Sequence, residues 1–320
     1  MAVQAKITSV GSYLPSKILT NKDLELNMDT SDEWINTRTG IKKRHIADNN
    51  ELTSDLATEA CKAALKKVAL KATDIDLIIV ATTTPDHTFP STATIVQSNL
   101  GANNAFAFDV QAVCSGFLYA LSIADKYIKS GECKHALVIG AETLSRILDW
   151  KDRTTCVLFG DGAGAVVLSA TDEANTGIID INLYSDGDGF KHLYTDGGTA
   201  YNGEAGVIKM EGQDVFKNAV SKMSSSITTL LDKHNIAFDD IGLVVPHQAN
   251  MRIMDSIAKK LHLNITKVIR TVDMHANTSA ASIPLALDVA INDGRLQKGQ
   301  NLVFTALGAG FTWGAGLVRW

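Results

Sequence analysis

The sequence lacks any pair of cysteines at metal-ligand or redox spacing: Cys61, Cys114, Cys133 and Cys156 stand singly, with no CxxC among them. Neither a zinc ribbon nor a disulfide framework is indicated, so each thiol is judged by its surroundings. No apolar run approaches the ~18 residues that span a bilayer. The opening "MAVQAKITSVGSYLP" also lacks the basic start and apolar core of an export signal. A soluble, cytoplasmic protein with no membrane partner is expected. Positive charge is scarce too, with 30 Lys and Arg against 35 Asp and Glu and a formal net charge of -5. Nucleic acid, which usually requires a basic surface, is therefore not an expected partner.

What is present is ordinary globular composition, 45% hydrophobic and 20% charged over 320 residues, enough for two cores. The chain also repeats itself. "DIDLIIVATTTPD" from Asp74 is echoed 166 residues later by "DIGLVVPHQAN" from Asp240. "HALVIGAET" from His135 is echoed by "NLVFTALGAG" from Asn301, and "GAGAVVL" from Gly162 by "GAGLVRW" from Gly314. Three matches in one order indicate a duplicated unit. Helical patterns over 53–69, 115–128 and 215–234 alternate with these strands, as parallel α/β architecture requires. The expected class is α/β, in two halves, 1–172 and 173–320, with strands and loops over 171–213 opening the second.

Two glycine-rich stretches carry no ligand chemistry. "DGDGF" puts Phe190 where a calcium ligand is needed. "GDGAG" at 160–164 runs into the strand-like "AVVLS", whereas a dinucleotide fingerprint opens a helix. Cys61 lies on an apolar helix face, and Cys133 and Cys156 read as structural, the first preceding a strand and the second entering one.

Cys114 differs, because it stands where a strand ends and a helix begins. Aligning "IKSG" (from Ile128) with "INDG" (from Ile291), at an offset of 163, places Asn277 opposite it. In a duplicated fold two such helix starts face each other. A helix N-terminus favours thiolate by up to ~2 kcal/mol. A shift of about one pKa unit raises the thiolate at neutral pH from roughly 3% to about a quarter, so a neighbouring histidine has to supply more. His247, at a strand's carboxyl end in "LVVPHQAN", is one candidate, and His275, two residues before Asn277, is another. The turn "ALGAGFTWGAG" from Ala306 has the small residues an oxyanion hole needs, or those that close strand packing needs.

The order Cys, His, Asn also occurs in papain-like peptidases, but "CGSCW" is missing and the duplicated pattern does not suit that fold. "TSDEWINTRTGIKKRHI", "CSGF", "FGDGAGA", "PHQANMRI", "NTSAASIP" and "GAGFTWGAG", in this order, closely resemble β-ketoacyl-acyl-carrier-protein synthase III, over 6–320. The resemblance implies a thiolase fold, a five-layer αβαβα sandwich. Thiolases need a second cysteine near the C-terminus, and none follows Cys156. Elongating ketosynthases have a second histidine where Asn277 stands, and the "GFGPG" of plant-type polyketide synthases is missing.

By this resemblance Cys114 attacks an acyl-CoA primer, acetyl-CoA being the expected one. Backbone N–H groups of Cys114 and Ala309 hold the oxyanion. His247 and Asn277 stabilise the enolate left when malonyl-acyl-carrier protein loses CO2, and no metal or redox cofactor is implied. Trp34 and Arg153 would sandwich the CoA adenine, Arg38 and Thr39 lie near its phosphates, and Asn250 positions pantetheine. Phe89 would enter the partner's acyl pocket in a homodimer, with Leu144, Phe159 and Leu307 as pocket walls. Lys217, Arg252 and Lys259 would dock the acidic carrier protein, although a solvated surface explains such charges as well.

Three positions depart from the family pattern. Ala309 and Ala276 stand where many relatives have glycine, which puts positive φ in question, and Val113 is bulkier than the usual alanine. A same-fold synthase of specialised metabolism with another acceptor is the second reading. A catalytically idle carrier-protein-binding module is the third.

Overall fold

The computed structural model describes residues 3–320. The first half contains β1 (Gln4–Tyr13), β2 (Lys17–Thr20), α1 (Asn21–Glu25), α2 (Asp32–Thr39), β3 (Lys43–Ile46), α3 (Thr53–Lys66), β4 (Leu77–Ala81), α4 (Thr92–Leu100), β5 (Phe106–Val110), α5 (Gly116–Lys129), β6 (His135–Glu142) and β7 (Gly162–Thr171). The second contains β8 (Gly177–Ser185), β9 (Leu193–Thr195), β10 (Ile208–Met210), α6 (Gly212–Lys233), β11 (Ile241–Pro246), α7 (Met251–Lys260), α8 (Val272–His275), α9 (Ser282–Asn292), β12 (Asn301–Gly308) and β13 (Thr312–Arg319).

Two sheets repeat one pattern. The order β5-β4-β6-β7-β1 in the first is matched by β11-β12-β13-β8 in the second. In the first, β4 runs parallel to both β5 and β6, in the second β11 runs parallel to β12, and antiparallel neighbours follow in each. The missing counterpart of β5 survives as a parallel bridge between Val244 and Val268. Each repeat noticed in the sequence is therefore a pair of equivalent strands.

Helices α5 and α9 lie between the sheets. Phe117, Leu121 and Ala124 of α5 and Ile283, Leu287 and Ala290 of α9 share one core with Ile79, Val138, Val245 and Phe304. Helices α3 and α4 cover the outer face of the first sheet, and α6 and α7 that of the second, giving five layers. A strand covered on both faces reads as a continuous apolar run, and "LIIVA" of β4 is buried at every residue. In α9 buried residues occur all round the helix, as a helix enclosed on every side requires. Its Pro284 falls in the first turn, where the missing N–H leaves no bond unmade.

The expected helix bounds hold to within a few residues. Cys156, expected to enter a strand, sits instead in a run of turns and is buried. The cause is local: the Asp152 carboxylate accepts from the Thr154 N–H at 2.9 Å, and the Asp152 carbonyl from the Cys156 N–H at 3.0 Å, winding the chain. No helix among the described residues is long and apolar enough to cross a membrane.

Candidate active site

A cavity of about 810 Å³ opens between the halves, and Cys114, His247 and Asn277 all line it. All three are buried, whereas Arg38, Lys217 and Arg252 on the same cavity are exposed and mark its mouth. Phe159, Leu307, Val157 and Met223 supply apolar wall between them. The structure thus gathers residues 133 and 163 positions apart in the chain, Cys114 with His247 and Asn277, at one deep point.

Cys114 lies in a tight turn, 113–115, joining β5 to α5. The turn is tied to the glycine-rich strip after β12. Ser115 Oγ donates to the Ala112 carbonyl at 2.7 Å, and Thr312 Oγ1 lies 3.0 Å from that carbonyl and 3.1 Å from the carbonyl of Ala309. A Cβ on Gly308 would come within 2.8 Å of the Cys114 nitrogen, so only glycine lets the strip approach the thiol's own amide. Ala309 belongs to this strip without lining the cavity, and it is not among the described non-glycine residues with positive φ.

His247 follows β11, and its N–H donates to the Thr305 carbonyl at 2.8 Å. Ser282 Oγ stands 2.6 Å from its Nδ1 and also accepts from the Gln248 N–H at 3.3 Å. The Ser282 hydroxyl can give its own hydrogen to Nδ1, the arrangement in which the ring hydrogen sits on Nε2. Burial pushes the His247 pKa down to about 3, so the ring is neutral. Asn277 is held at both backbone ends, by the Leu158 carbonyl at 2.9 Å and the Gly160 N–H at 3.0 Å. Its Oδ1 accepts from the Ser279 N–H at 2.9 Å, leaving the side-chain NH2 as the free group. The cavity therefore meets two neutral donors.

The thiol behaves differently from the helix-start expectation. Burial pushes the Cys114 pKa up to about 12, the Ser279 hydroxyl draws it down, and the Glu142 carboxyl pushes it up. A neutral His247 supplies no charge to offset this. His275, the competing histidine, is buried away from the cavity lining.

The equivalence of Cys114 and Asn277 also needs correcting. Turns 113–115 and 279–281 begin with Val113 and Ser279, both at φ 48°, and lead directly into α5 and α9. The structural counterpart of Cys114 is Ala280, and Asn277 stands three residues earlier. The helix ends used for the alignment misled because α5 has 14 residues and α9 has 11.

At the mouth, the Arg38 guanidinium lies 4.6 Å and that of Arg153 5.3 Å from the centre of the Trp34 ring. Trp34, Arg38 and Thr39 line the cavity, and Arg153, which also bonds the Asp29 carbonyl, flanks it. The Thr39 hydroxyl is already committed, donating to the Ile35 carbonyl at 2.7 Å and accepting from the Ile41 N–H at 3.0 Å. Asn250 caps α7 through the Arg252 N–H at 2.8 Å and reaches the Arg38 carbonyl at 3.2 Å. Lys217 and Arg252 line the mouth, the latter 5.9 Å from the Phe216 ring centre, whereas exposed Lys259 is outside the lining. Leu144 is buried in the neighbouring core without reaching the cavity, and Phe89 is 84% exposed elsewhere on the surface. Sequence reasoning missed Ser282, Ser279 and Glu142, whose partners lie on other elements.

Two family models match the chain, 3-oxoacyl-[acyl-carrier-protein (ACP)] synthase III over 108–187 and the C-terminal part of the same family over 231–320. A β-ketoacyl-[acyl-carrier-protein] synthase III of Ehrlichia canis is 59% identical, covering 98% of each chain. The crystal structure of 3-oxoacyl-[acyl-carrier-protein] synthase III from Aquifex aeolicus is 48% identical with a TM-score of 0.94, covering 99% of this chain and 100% of its own. The priming β-ketosynthase of the R1128 polyketide pathway is 33% identical with a TM-score of 0.94, covering 99% and 96%.

Proposed function

The chain belongs to the β-ketoacyl-acyl-carrier-protein synthase III family, and from that premise we propose how its cavity carries out the family's condensation. An acyl-CoA primer and malonyl-acyl-carrier protein give β-ketoacyl-acyl-carrier protein, CO2 and CoA, the step that initiates fatty-acid synthesis. Acetyl-CoA is the primer proposed.

Cys114 attacks the primer thioester and holds the acyl group. The amides of Cys114 and Ala309 bind the tetrahedral oxyanion. Malonyl thioester then loses CO2, and its enolate oxygen is met by His247 Nε2–H and the Asn277 amide. The observation that carries this reading is the pairing of two neutral donors with a buried thiol in one cavity. Neutral donors suit an enolate, because they stabilise it without handing over a proton. Trp34, Arg38 and Arg153 hold the nucleotide end of CoA, with Thr39 and Asn250 shaping the passage through their backbone bonds. Phe159 and Leu307 bound the acyl pocket, and Leu144 packs behind them.

The same proposal includes a cytoplasmic setting and a homodimer, for which the exposed Phe89 supplies an apolar contact. Lys217 and Arg252 at the mouth, with Lys259 beyond, form the basic landing for the carrier protein. Likeness to the polyketide-priming enzyme favours one second reading, condensation onto another acceptor.

Intact-mass measurement after mixing with acetyl-CoA, then with malonyl-carrier protein, separates these readings. Acylated Cys114 that malonyl-carrier protein discharges supports initiation, and acylated Cys114 left undischarged supports another acceptor. Asn277→Ala should lower decarboxylation about 100-fold while leaving acylation within a few-fold. Full decarboxylase activity in that variant would refute the division of roles.

A further inference from the structure

The Cys114 thiol must lose a proton, and the cavity offers no base for it. With Ser282 donating to Nδ1, His247 carries its hydrogen on Nε2 and has no free ring nitrogen to take that proton. Behind the thiol stands Glu142, the last residue of β6, fully buried. Four donors converge on its Oε2: Thr82 Oγ1 at 3.3 Å, the Thr83 N–H and Thr83 Oγ1 at 3.0 Å, and Thr84 Oγ1 at 2.8 Å. Burial raises the Glu142 pKa above the ordinary carboxylate value, which makes it a stronger proton acceptor, and these hydrogen bonds work against the rise. Its Oε1 has no partner, and neither has the buried Ser279 Oγ. The Ser279 hydroxyl is near enough to both the Cys114 sulfur and the Glu142 carboxyl to favour their charged forms. It completes a hydrogen bond of standard geometry with neither.

The elements around Glu142 bring it Thr82, Thr83 and Thr84 from the exit of β4, Ser279 from the turn before α9, and Gly162 from β7. The titratable group facing this pair is Cys114. An acceptor with one oxygen anchored and the other unpartnered, one hydroxyl away from a thiol that must ionise, has the geometry of a proton outlet.

We propose that Ser279 and Glu142 take up the Cys114 proton during acylation. As sulfur attacks the thioester carbonyl, its proton passes to Ser279 Oγ while the proton of Ser279 passes to Glu142 Oε1. A C–S bond to the acyl group forms and the C–S bond to CoA breaks. The CoA sulfur leaves with the electron pair and takes a proton from water at the mouth. When the malonyl-derived carbanion later displaces the Cys114 sulfur, Glu142 returns its proton through Ser279 to the thiolate. Ser279 is the relay beside the sulfur, and Glu142 is the proton acceptor that acts through it.

This inference rests on Cys114 as nucleophile, so its test reads the thiol in two ways. Glu142→Gln, Glu142→Asp and Ser279→Ala variants of the full chain are followed by iodoacetamide alkylation mapped to Cys114, and by acylation with acetyl-CoA, both as a function of pH. Glu142→Gln and Ser279→Ala should slow both reactions about 10–100-fold near neutral pH, with profiles displaced to higher pH, and Glu142→Asp should recover part of the loss. If Glu142 acted through its charge alone, Glu142→Gln would make Cys114 alkylate faster. That result, or an unchanged pH profile in Glu142→Gln and Ser279→Ala alike, overturns the proposal. Should Glu142→Gln fail to fold, Ser279→Ala decides, since it leaves the threonine bonds to Glu142 in place. Displaced alkylation profiles without acylation of Cys114 would uphold the outlet and remove the nucleophile assignment instead.

Discussion

Gly308 ends β12 and Glu142 ends β6, 166 residues apart, and each lies beside the turn of the opposite half. Gly308 approaches Cys114, with 2.8 Å from an added Cβ to the thiol's amide, and Glu142 approaches Ser279. The backbone frame is shared, down to φ 48° at Val113 and Ser279. Duplication supplied two equal junctions, and the side chains then diverged. One strand end is bare enough to approach the Cys114 amide, while the other carries a buried carboxyl.

That contrast is broken most forcibly by filling both glycine contacts. Gly308→Ala would push against the Ala112 carbonyl and the Cys114 nitrogen at 2.8 Å, disturbing the oxyanion donors. Acylation should fall about 100- to 1000-fold, as for loss of one oxyanion donor. Gly140→Ala meets the Ala280 carbonyl at 2.2 Å on the Asn277 side. It should cost mainly stability, about 1–3 kcal/mol by overpacking. Rapid-quench acylation alongside urea unfolding distinguishes the two, and equal kinetic losses would deny the division of labour between the turns.

Two buried histidines give a second contrast, His247 in the cavity and His275 beneath it. Burial holds them at about 3 and about 4, below the ordinary 6.5. The unfolded chain therefore binds protons first as pH falls. Their contribution is complete above pH 6.5 and drains as pH drops from there toward the folded values. Each histidine adds a slope of up to about 1.4 kcal/mol per pH unit within that window. His275→Asn should remove about one such slope, read by urea unfolding at several pH values below 6.5. An unchanged slope would mean that His275 is already charged in the folded chain.

The sequence disclosed what repeats and what ends a strand. Equivalent strands β4 and β11, or β6 and β12, carry similar apolar runs because both are covered on two faces. Cys114 and His247 stood out because ligand groups collect at strand carboxyl ends, and both line the cavity. The true register was not legible, because α9 is shorter than α5 and the helix ends therefore fall out of phase. Ser282 gave no signal either, since its role depends on a 2.6 Å approach to a histidine 35 residues away. Glu142 read as the end of a strand, and its burial follows from the threonines of another strand's exit.

The smallest effect concerns the alanine of "HANTS". Ala276 has φ 58° and ψ -160° and is fully buried just ahead of Asn277. That region is open essentially to glycine, and holding another residue there costs on the order of 1–3 kcal/mol. Val113, before Cys114, also has positive φ, so both chemical junctions are held by backbone that the surrounding packing must enforce. The remedies differ. Ala276→Gly relieves strain but frees the unfolded chain and removes a buried methyl, terms of about 0.5–1 kcal/mol that oppose it. A net gain of about 1 kcal/mol, or about 2 °C in Tm, should remain in calorimetry. Val113→Ala keeps a Cβ at positive φ and should change Tm by less. If Ala276→Gly instead lowered Tm, the methyl would be filling space worth more than the strain it causes.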